Sequence, residues 1–567
     1  MSTADAIVST QFTYFCDTLQ TQVIRDFDGL KSISSSWSRL WRQSSSATIF
    51  QSLPWISAWW KAFGKHLDLC TLVVQHGTDV VGVLPLVRSG VSVRFLGSPG
   101  ADYCDILCDE GQGARILEAA LRALFRMSGW RTCTFSNLRD DSVFIRSLSD
   151  LPRDVMRCMR THESICRSSL RLDGNRNAII DAMRRKPALR RHRNKLNKAG
   201  CVRFCHLEDR EQIHHYLNTL FQQHIGRRAI ANEPSQFLSP EWRGFYHAMV
   251  DEMNPKDDLR FSILELDDRP IACHFGFECK SSLTLYKPTF DVDMWALSPG
   301  DVLLSEMLAY ARDRQLNEVD FTVGSEAYKE HFTNYTRDMY CTVLYRQDWR
   351  TGIRRTLQPL HIGVTNWLRM TGWRQDVARS LRKVHQQCRE LSIAASIRHS
   401  ETNRVLYKYT SETPLTDTGI GRSVRPATFT DLTELAMQYP HSIDTRALQL
   451  YLSRLHRGHE CFLHRDGNAT SMAWVRSTSV IVAFDSGETA ARPVTLLYEA
   501  HILGDASSGA LSVDFLHWLA WHAESARSVA CVCLPRLTYA MRRIIIQEGF
   551  AQWADAQLVQ EQPAFGN

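Results

Sequence analysis

TLYKPTFDVDMWALSPGDVLLSEMLAYARDRQLNEVDFTVG, residues 284–324, is the stretch on which the fold turns. A β-prone run leads through a tight Ser-Pro-Gly-Asp loop into an amphipathic helix, and EVDFTVG then reads as a second buried strand. At the loop Ser298 or Asp301 can cap the helix, Pro299 presets φ, and Gly300 lets the backbone approach a ligand closely. Free amides at a helix start bind anions, and a pyrophosphate is a common occupant. The same residues also start many ordinary helices, so the loop by itself leaves both readings open.

Working outward, the order strand, strand, strand, helix, strand occurs three times. Its second copy starts near residue 260 with RFSILEL, IACHFGFE and SLTLYKP and closes on the stretch above. The first starts near residue 69 with LCTLVVQHGTDVVGVLPLV and VSVRFLG, followed by ARILEAALRALFRM and TCTFSNL. The third starts near residue 460 with ECFLH, TSMAWV, VIVAF and VTLLYEAHIL, a GDASSG loop, ALSVDFLHWLAWHA and SVACVCL. A helical preface precedes each copy: LPWISAWWKAFG, EQIHHYLNTLFQQHIG and DLTELAMQYP. The copies stand about 190–200 residues apart, a spacing that suits separate α/β units.

The 567 residues are 44% hydrophobic and 23% charged, ordinary globular composition that excludes a largely disordered chain. No run is apolar enough for a bilayer-spanning helix, and MSTADAIVST has no basic-then-apolar secretory pattern. The sixteen cysteines lack regular spacing, which points to reduced thiols, a cytoplasmic protein and no metal centre. No G-x-S-x-G elbow is present, against a serine hydrolase. The net charge of +6 is concentrated in residues 184–198, with eight Lys or Arg and no acid, and in residues 346–404, with twelve basic against four acidic residues. Such stretches suit phosphates or an anionic membrane surface, or form solvated helix faces. Without interleaved aromatics, nucleic acid ranks low as a partner. Three tryptophans in residues 347–400 argue for a linker of packed helices.

PWISAWWKAFG, VGVLPLV, RFLGSPGADYCD, RRHRNKLNKAG, LYKPTFDVDMWALSPGDVLL and VDFTVGSEAYKEHF occur in that order between residues 54 and 332. In that order they resemble the CelD/BcsL-like acetyltransferases of bacterial cellulose and exopolysaccharide clusters, a tandem GNAT family related to the FemAB-type aminoacyl transferases. The resemblance covers residues 45 to 345. It implies a mixed α/β fold of three GNAT-like domains: a degenerate one over 1–160, a second with the acyl-CoA site over 161–346, a basic helical linker over 347–420, and a C-terminal one over 421–567. The third copy carries Gly504, Asp505, Ser507, Ser508 and Gly509 where the family's loop has a basic residue before its glycine. Its QEGF close matches the family's usual end.

The resemblance implies acyl transfer from acyl-CoA, acetyl-CoA first, to an amine or hydroxyl of a sugar or lipid-linked acceptor. A membrane surface or polysaccharide synthase complex is an expected neighbour. The pyrophosphate would sit on the loop Ser298, Pro299, Gly300, Asp301 and Val302, at the amides of the last three. Candidate catalytic residues each have a plainer alternative. His274 is a base or a hydrogen-bonded core histidine. Asp320 and Glu326 orient or deprotonate the acceptor, or form surface ion pairs. Tyr328 protonates the thiolate and Lys329 binds a phosphate, or they are a packed aromatic and a solvated lysine. Tyr286 is catalytic or packing. Asp102, Tyr103 and Asp105 match the family segment and would face an acceptor cleft between the first two copies. In the third copy Tyr498, Glu499 and His501 lie along one strand, as acid/base residues or as packing. An aminoacyl-tRNA-dependent transferase and a non-catalytic GNAT scaffold remain the alternatives.

Overall fold

The computed structural model describes residues 14–16, 19–164, 167–172, 174–231, 233–324, 329–346, 407–409, 424–440, 442–456, 459–466, 469–483 and 489–503, with short stretches between 516 and 558. The chain divides into two compact units, residues 1–224 with 239–360, and residues 225–238 with 361–567. The basic segment 347–406 and the loop 504–509 lie outside the described residues.

The first unit contains two lobes. The first lobe opens with β1 (Tyr14–Cys16), β2 (Leu19–Ile24), α1 (Phe27–Ser32), α2 (Ser34–Gln43) and α3 (Leu53–Phe63). A meander follows: β3 (Asp68–Leu69), β4 (Thr71–His76), β5 (Asp79–Leu84), β6 (Leu86–Ser89), β7 (Ser92–Phe95) and β8 (Leu107–Cys108). Then come α4 (Gly113–Arg126), β9 (Thr132–Arg139), α5 (Val143–Ser147), α6 (Arg153–Met156) and β10 (Met159–Glu163). The second lobe comprises β11 (Arg167–Arg171), α7 (Arg176–Arg184), α8 (Pro187–Ala199), β12 (Val202–Leu207), α9 (Arg210–Ile230) and α10 (Pro240–Glu252). It continues with β13 (Leu259–Leu266), β14 (Arg269–Cys279), β15 (Ser282–Phe290), α11 (Pro299–Asp313), β16 (Glu318–Val323), β17 (Tyr335–Arg337) and β18 (Met339–Tyr345).

The first lobe has two sheets, ordered β1-β2-β4-β5-β8 and β10-β18-β9-β7-β6-β3. The second has one sheet, ordered β12-β13-β14-β15-β16-β11-β17. Strands joined through a helix pair in parallel, β7 with β9 across α4 and β15 with β16 across α11. A parallel pair requires such a crossover, so the repeat read from sequence becomes a repeated strand–helix–strand turn. In α4, Ile116, Leu117, Ala120, Leu121 and Leu124 recur at helical spacing and are fully buried. Gly82 permits this packing, because a Cβ there would stand 2.3 Å from the Ile116 side chain. In α11 the buried stripe is Val302, Leu303, Met307, Leu308 and Ala311.

The chain returns to the first lobe at its end. β18 lies between β10 and β9, pairing antiparallel with both. Residues 339–345, in the stretch expected to close the second domain, therefore complete the first lobe's sheet. Between the lobes, Phe50 and Trp55 pack on Phe277 and Tyr286 with ring centroids 5.7–6.1 Å apart. Such aromatic pairs add about 0.5–1.5 kcal/mol each beyond burial.

In the second unit, seven strands follow the order 424–426, 460–466, 469–483, 489–503, 529–532, 407–409, 550–552. Residues 494–497 pair in parallel with 529–532, as in the first two copies. TSMAWV and VIVAF, expected as two strands, form one continuous strand, Ala469–Ala483, because the long partner Thr489–Leu503 pairs along its whole length. A capping box between Thr428 and Asp431 starts the helix Phe429–Gln438.

Candidate active site

The second lobe's sheet forks beside α11. β15 pairs with β16 only at Ser282–Glu318, Leu283–Val319 and Thr284–Asp320. Beyond Asp320 the pairing of β16 continues on its other side, Val323 opposite Arg167 of β11. The remainder of β15, including Pro288, keeps only its β14 partner among the described residues. Asp320 is the last paired residue at the fork and is 4% exposed. Two residues on, Thr322 has φ +60°. That conformation costs a β-branched residue about 1–3 kcal/mol and persists only where its surroundings enforce it.

A loop of the first lobe, residues 97–105, meets this fork. Tyr103 donates its hydroxyl proton to Asp320 Oδ1 at 2.8 Å, and the Thr322 N–H donates to the same oxygen at 2.8 Å. Tyr286 on β15 donates to the Gly100 carbonyl at 2.7 Å. Asn137 Nδ2 donates to the Ala101 carbonyl at 2.8 Å, and the Cys104 N–H donates to the Asn137 carbonyl at 2.9 Å. Trp59 Nε1 donates to the Pro99 carbonyl at 2.8 Å. The loop is thus tied on both sides of Asp102.

Asp102 hydrogen bonds the Thr322 side chain and lies in the field of Lys287, Asp320 and Lys329. Burial pushes its carboxyl up to about 6, with Asp320 adding to the rise, while Lys287, Thr322 and Lys329 oppose it. Lys329 is 3% exposed and donates from Nζ to the Val323 carbonyl at 3.1 Å. Two carboxylates and two ammonium groups converge here from three segments of the chain.

The other sequence candidates divide sharply. His274 is fully buried on β14, and neither ring nitrogen has a partner of ordinary hydrogen-bond geometry. Burial holds its pKa down at about 3. A neutral imidazole sealed from solvent cannot reach an acceptor, so His274 is a core residue rather than the base. Tyr286 is likewise a packing residue and a tie between lobes, its hydroxyl held protonated by burial. Asp105 does not face a cleft. It accepts from the N–H groups of Ile106, Val143 and Phe144 and from Ser46 Oγ at 2.8–3.0 Å, which secures the start of α5. Glu326 and Tyr328 lie outside the described residues. Tyr498, Glu499 and His501 fall on the strand Thr489–Leu503.

At the expected anion loop, Ser298 is left-handed (φ +53°) and Pro299 is the first residue of α11. The Asp301 and Val302 N–H groups donate to the Ser298 carbonyl at 3.2 and 3.4 Å. They therefore begin the helix's own bonding instead of remaining open for a phosphate. The Gly300 N–H is the amide at this end with no acceptor among the described residues. A Cβ at Gly300 would stand 3.1 Å from the Phe290 ring. The Asp301 carboxylate pairs with His192 Nδ1 at 2.8 Å, and Lys195 Nζ donates to the Ala296 carbonyl at 2.8 Å. Arg184 pairs with Glu306 at 3.2 Å. Part of the basic stretch thus packs α7 and α8 onto α11, while Arg190, Arg191, Lys195 and Lys198 remain exposed.

Residues 183–330 match the acetyltransferase (GNAT) domain family. The match lies within the second lobe and spans α8 to β16. No curated protein matches the chain. Among solved structures it is similar to FemX, at 11% identity and TM-score 0.40 over 55% of this chain and 95% of that one. It is similar to L-PGS from Bacillus licheniformis at 9% identity and TM-score 0.33, over 48% of this chain and 84% of that one. It is also similar to a tandem GNAT protein from the clavulanic acid biosynthesis pathway, at 12% identity and TM-score 0.33, over 57% and 98%. Among the described residues no cluster of His, Cys, Asp and Glu fits a metal ion, and no helix is long and apolar enough to cross a membrane.

Sequence reasoning passed over Lys287 and Thr322, although both stand inside motifs it quoted. The signal for Lys287 was a lysine before proline in an otherwise apolar strand. For Thr322 no local signal exists, since its contacts with Asp102 and Asp320 appear only in the folded chain.

Proposed function

We propose that this protein is an acyl-CoA-dependent N- or O-acyltransferase, with acetyl-CoA as donor, acting on a polysaccharide or lipid-linked sugar precursor in bacterial exopolysaccharide or cellulose biosynthesis, in the cytoplasm and at the inner membrane face. The observation that carries it is the fork of β15 and β16 beside the start of α11, with two acids and two lysines, buried or half-buried, gathered at its apex. The fit to acyl-CoA is favourable in two respects. The strand edge of β15 beyond Thr284 has no partner strand but β14 among the described residues, which suits a pantetheine chain, and the Gly300 N–H with exposed Arg190, Arg191, Lys195 and Lys198 supplies an electropositive end. Acyl-CoA supplies an activated thioester carbonyl. The chain's residues have then to orient the acceptor and move its proton, tasks that suit the cluster around Asp320 and Asp102.

A second reading rests on the same basic helix. Its exposed guanidinium and ammonium groups suit an aminoacyl-tRNA backbone as well as the phosphates of CoA. Calorimetric titration decides between them. Acetyl-CoA should bind the whole chain, and Gly300→Asp, which crowds Phe290 and adds an anion at the helix start, should weaken binding at least about tenfold. No binding of acetyl-CoA with retained affinity for aminoacyl-tRNA would favour the second reading.

A further inference from the structure

We propose that Asp102, contributed by the first lobe, takes the proton from the acceptor in the acyl transfer carried out by the second lobe. The assignment rests on the acyltransferase reading above and adds to it that the first lobe is part of the catalytic centre.

Placement is the first argument. The loop 97–105 is fixed to β9 through Asn137, to α3 through Trp59, to β15 through Tyr286 and to the fork through Tyr103 and Asp320. Asp102 is therefore held at the fork by its neighbours' bonds, independently of its own carboxylate. A base must be located this firmly to transfer a proton in register with bond formation.

Elimination among the described acids Asp102, Asp105 and Asp320 is the second. Asp105 has its oxygens occupied by three backbone donors and a serine. Asp320 Oδ1 accepts from both Tyr103 and the Thr322 amide. Asp102 has the Thr322 side chain as its hydrogen-bond partner and is partly exposed. Thr322 holds it from a left-handed conformation, a strain located at the contact with this carboxylate.

The third is the balance of charge. Lys287 from β15 and Lys329 after β16 stabilise the carboxylate, and Asp320 opposes it. Tyr286 and Cys104, which also lie in its field, are both raised by burial and stay neutral near pH 7. The carboxyl titrates at about 6, so at neutral pH it is an anion with nearly the greatest proton affinity compatible with being ionised. In the step itself Asp102 accepts the proton of the attacking hydroxyl or amine as the new bond to the thioester carbon forms. The carbon–sulfur bond then breaks with its electron pair on sulfur. Asp102 passes the proton to that sulfur, releasing the free thiol and restoring the carboxylate.

Thiol release from acetyl-CoA with water as acceptor tests the assignment on the whole chain, between about pH 5 and about pH 8. The wild type should show kcat/KM rising through a limb at about 6. Asp102→Asn should lose the limb and at least about a hundredfold in kcat, with acetyl-CoA affinity by calorimetry unchanged within about twofold. Thr322→Val and Lys287→Met remove groups that lower this pKa, so both should move the limb to higher pH. A readout without substrate accompanies these. The folded pKa lies above the unfolded value of about 3.9, so Asp102 favours the folded state most below pH 4, and that contribution is lost as pH rises through 6. Asp102→Asn should remove this loss and unfold at a higher temperature than wild type at about pH 7.5. An Asp102→Asn variant that keeps the limb, or a wild type that binds acetyl-CoA but releases no thiol, would overturn the assignment. Absence of acetyl-CoA binding in the wild type would overturn the acyltransferase reading as well.

Discussion

Three aspartates, Asp102, Asp105 and Asp320, meet three different fates. Asp102 is a partly exposed carboxyl at the fork, Asp105 is sunk in the first lobe as an anchor, and Asp320 joins the two lobes through Tyr103. Burial raises the Asp105 carboxyl while its backbone donors and Ser46 pull it down. Such a group is structural: Asp105→Ala should cost about 3–5 kcal/mol, because four donors lose their acceptor together. Denaturant unfolding of the variant measures this, and a loss below about 1 kcal/mol would refute the anchoring role. The sequence presents all three acids alike. Their difference lies in burial and partners, and most of those partners are more than thirty residues away along the chain. His274 illustrates the same point from the other side, a histidine on a central strand that burial renders inert.

At the scale of elements, α8 does two jobs with one basic sequence. Leu189 and Leu196 are buried, His192 and Arg193 are half-buried, and Arg190, Arg191 and Lys198 face solvent. His192 and Lys195 hold the region before and at the start of α11. Reversing exposed charge, as in Arg191→Glu with Lys198→Glu, should therefore weaken acetyl-CoA binding about fivefold to fiftyfold at low salt while leaving the unfolding midpoint nearly unchanged. The effect should shrink as salt is raised. A loss of affinity insensitive to salt would mean that the helix acts by shape and not by charge. The helices and most strands were legible locally: α3, α4, α11 and the strands around them follow their apolar periodicity, and the Ser52 cap and Pro54 mark the start of α3. What eluded local reading was the amides' bonding at α11, where two of the three expected phosphate donors are already taken by Ser298.

On the scale of the whole molecule, the two lobes of the first unit are interlocked. β18 fills the gap between β10 and β9, and an aromatic cluster from both lobes surrounds Tyr286. A chain ending at residue 338 should leave two strand edges of the first lobe unpaired. We expect it to lose cooperative unfolding and to aggregate, whereas a chain ending at 346 keeps the first unit's transition, as calorimetry of the two would show. Equal stability of the two would mean that β18 is dispensable. By itself the sequence determined the repeated strand–helix–strand order and the α/β class, because periodicity, turn residues and caps are local properties written within a dozen residues. Only the tertiary structure decided which acids are half-exposed and which are sunk among donors, that the loop 97–105 meets the fork of the other lobe, and that β18 returns to the first sheet. Those facts depend on burial and on partners distant along the chain, and no local pattern encodes either.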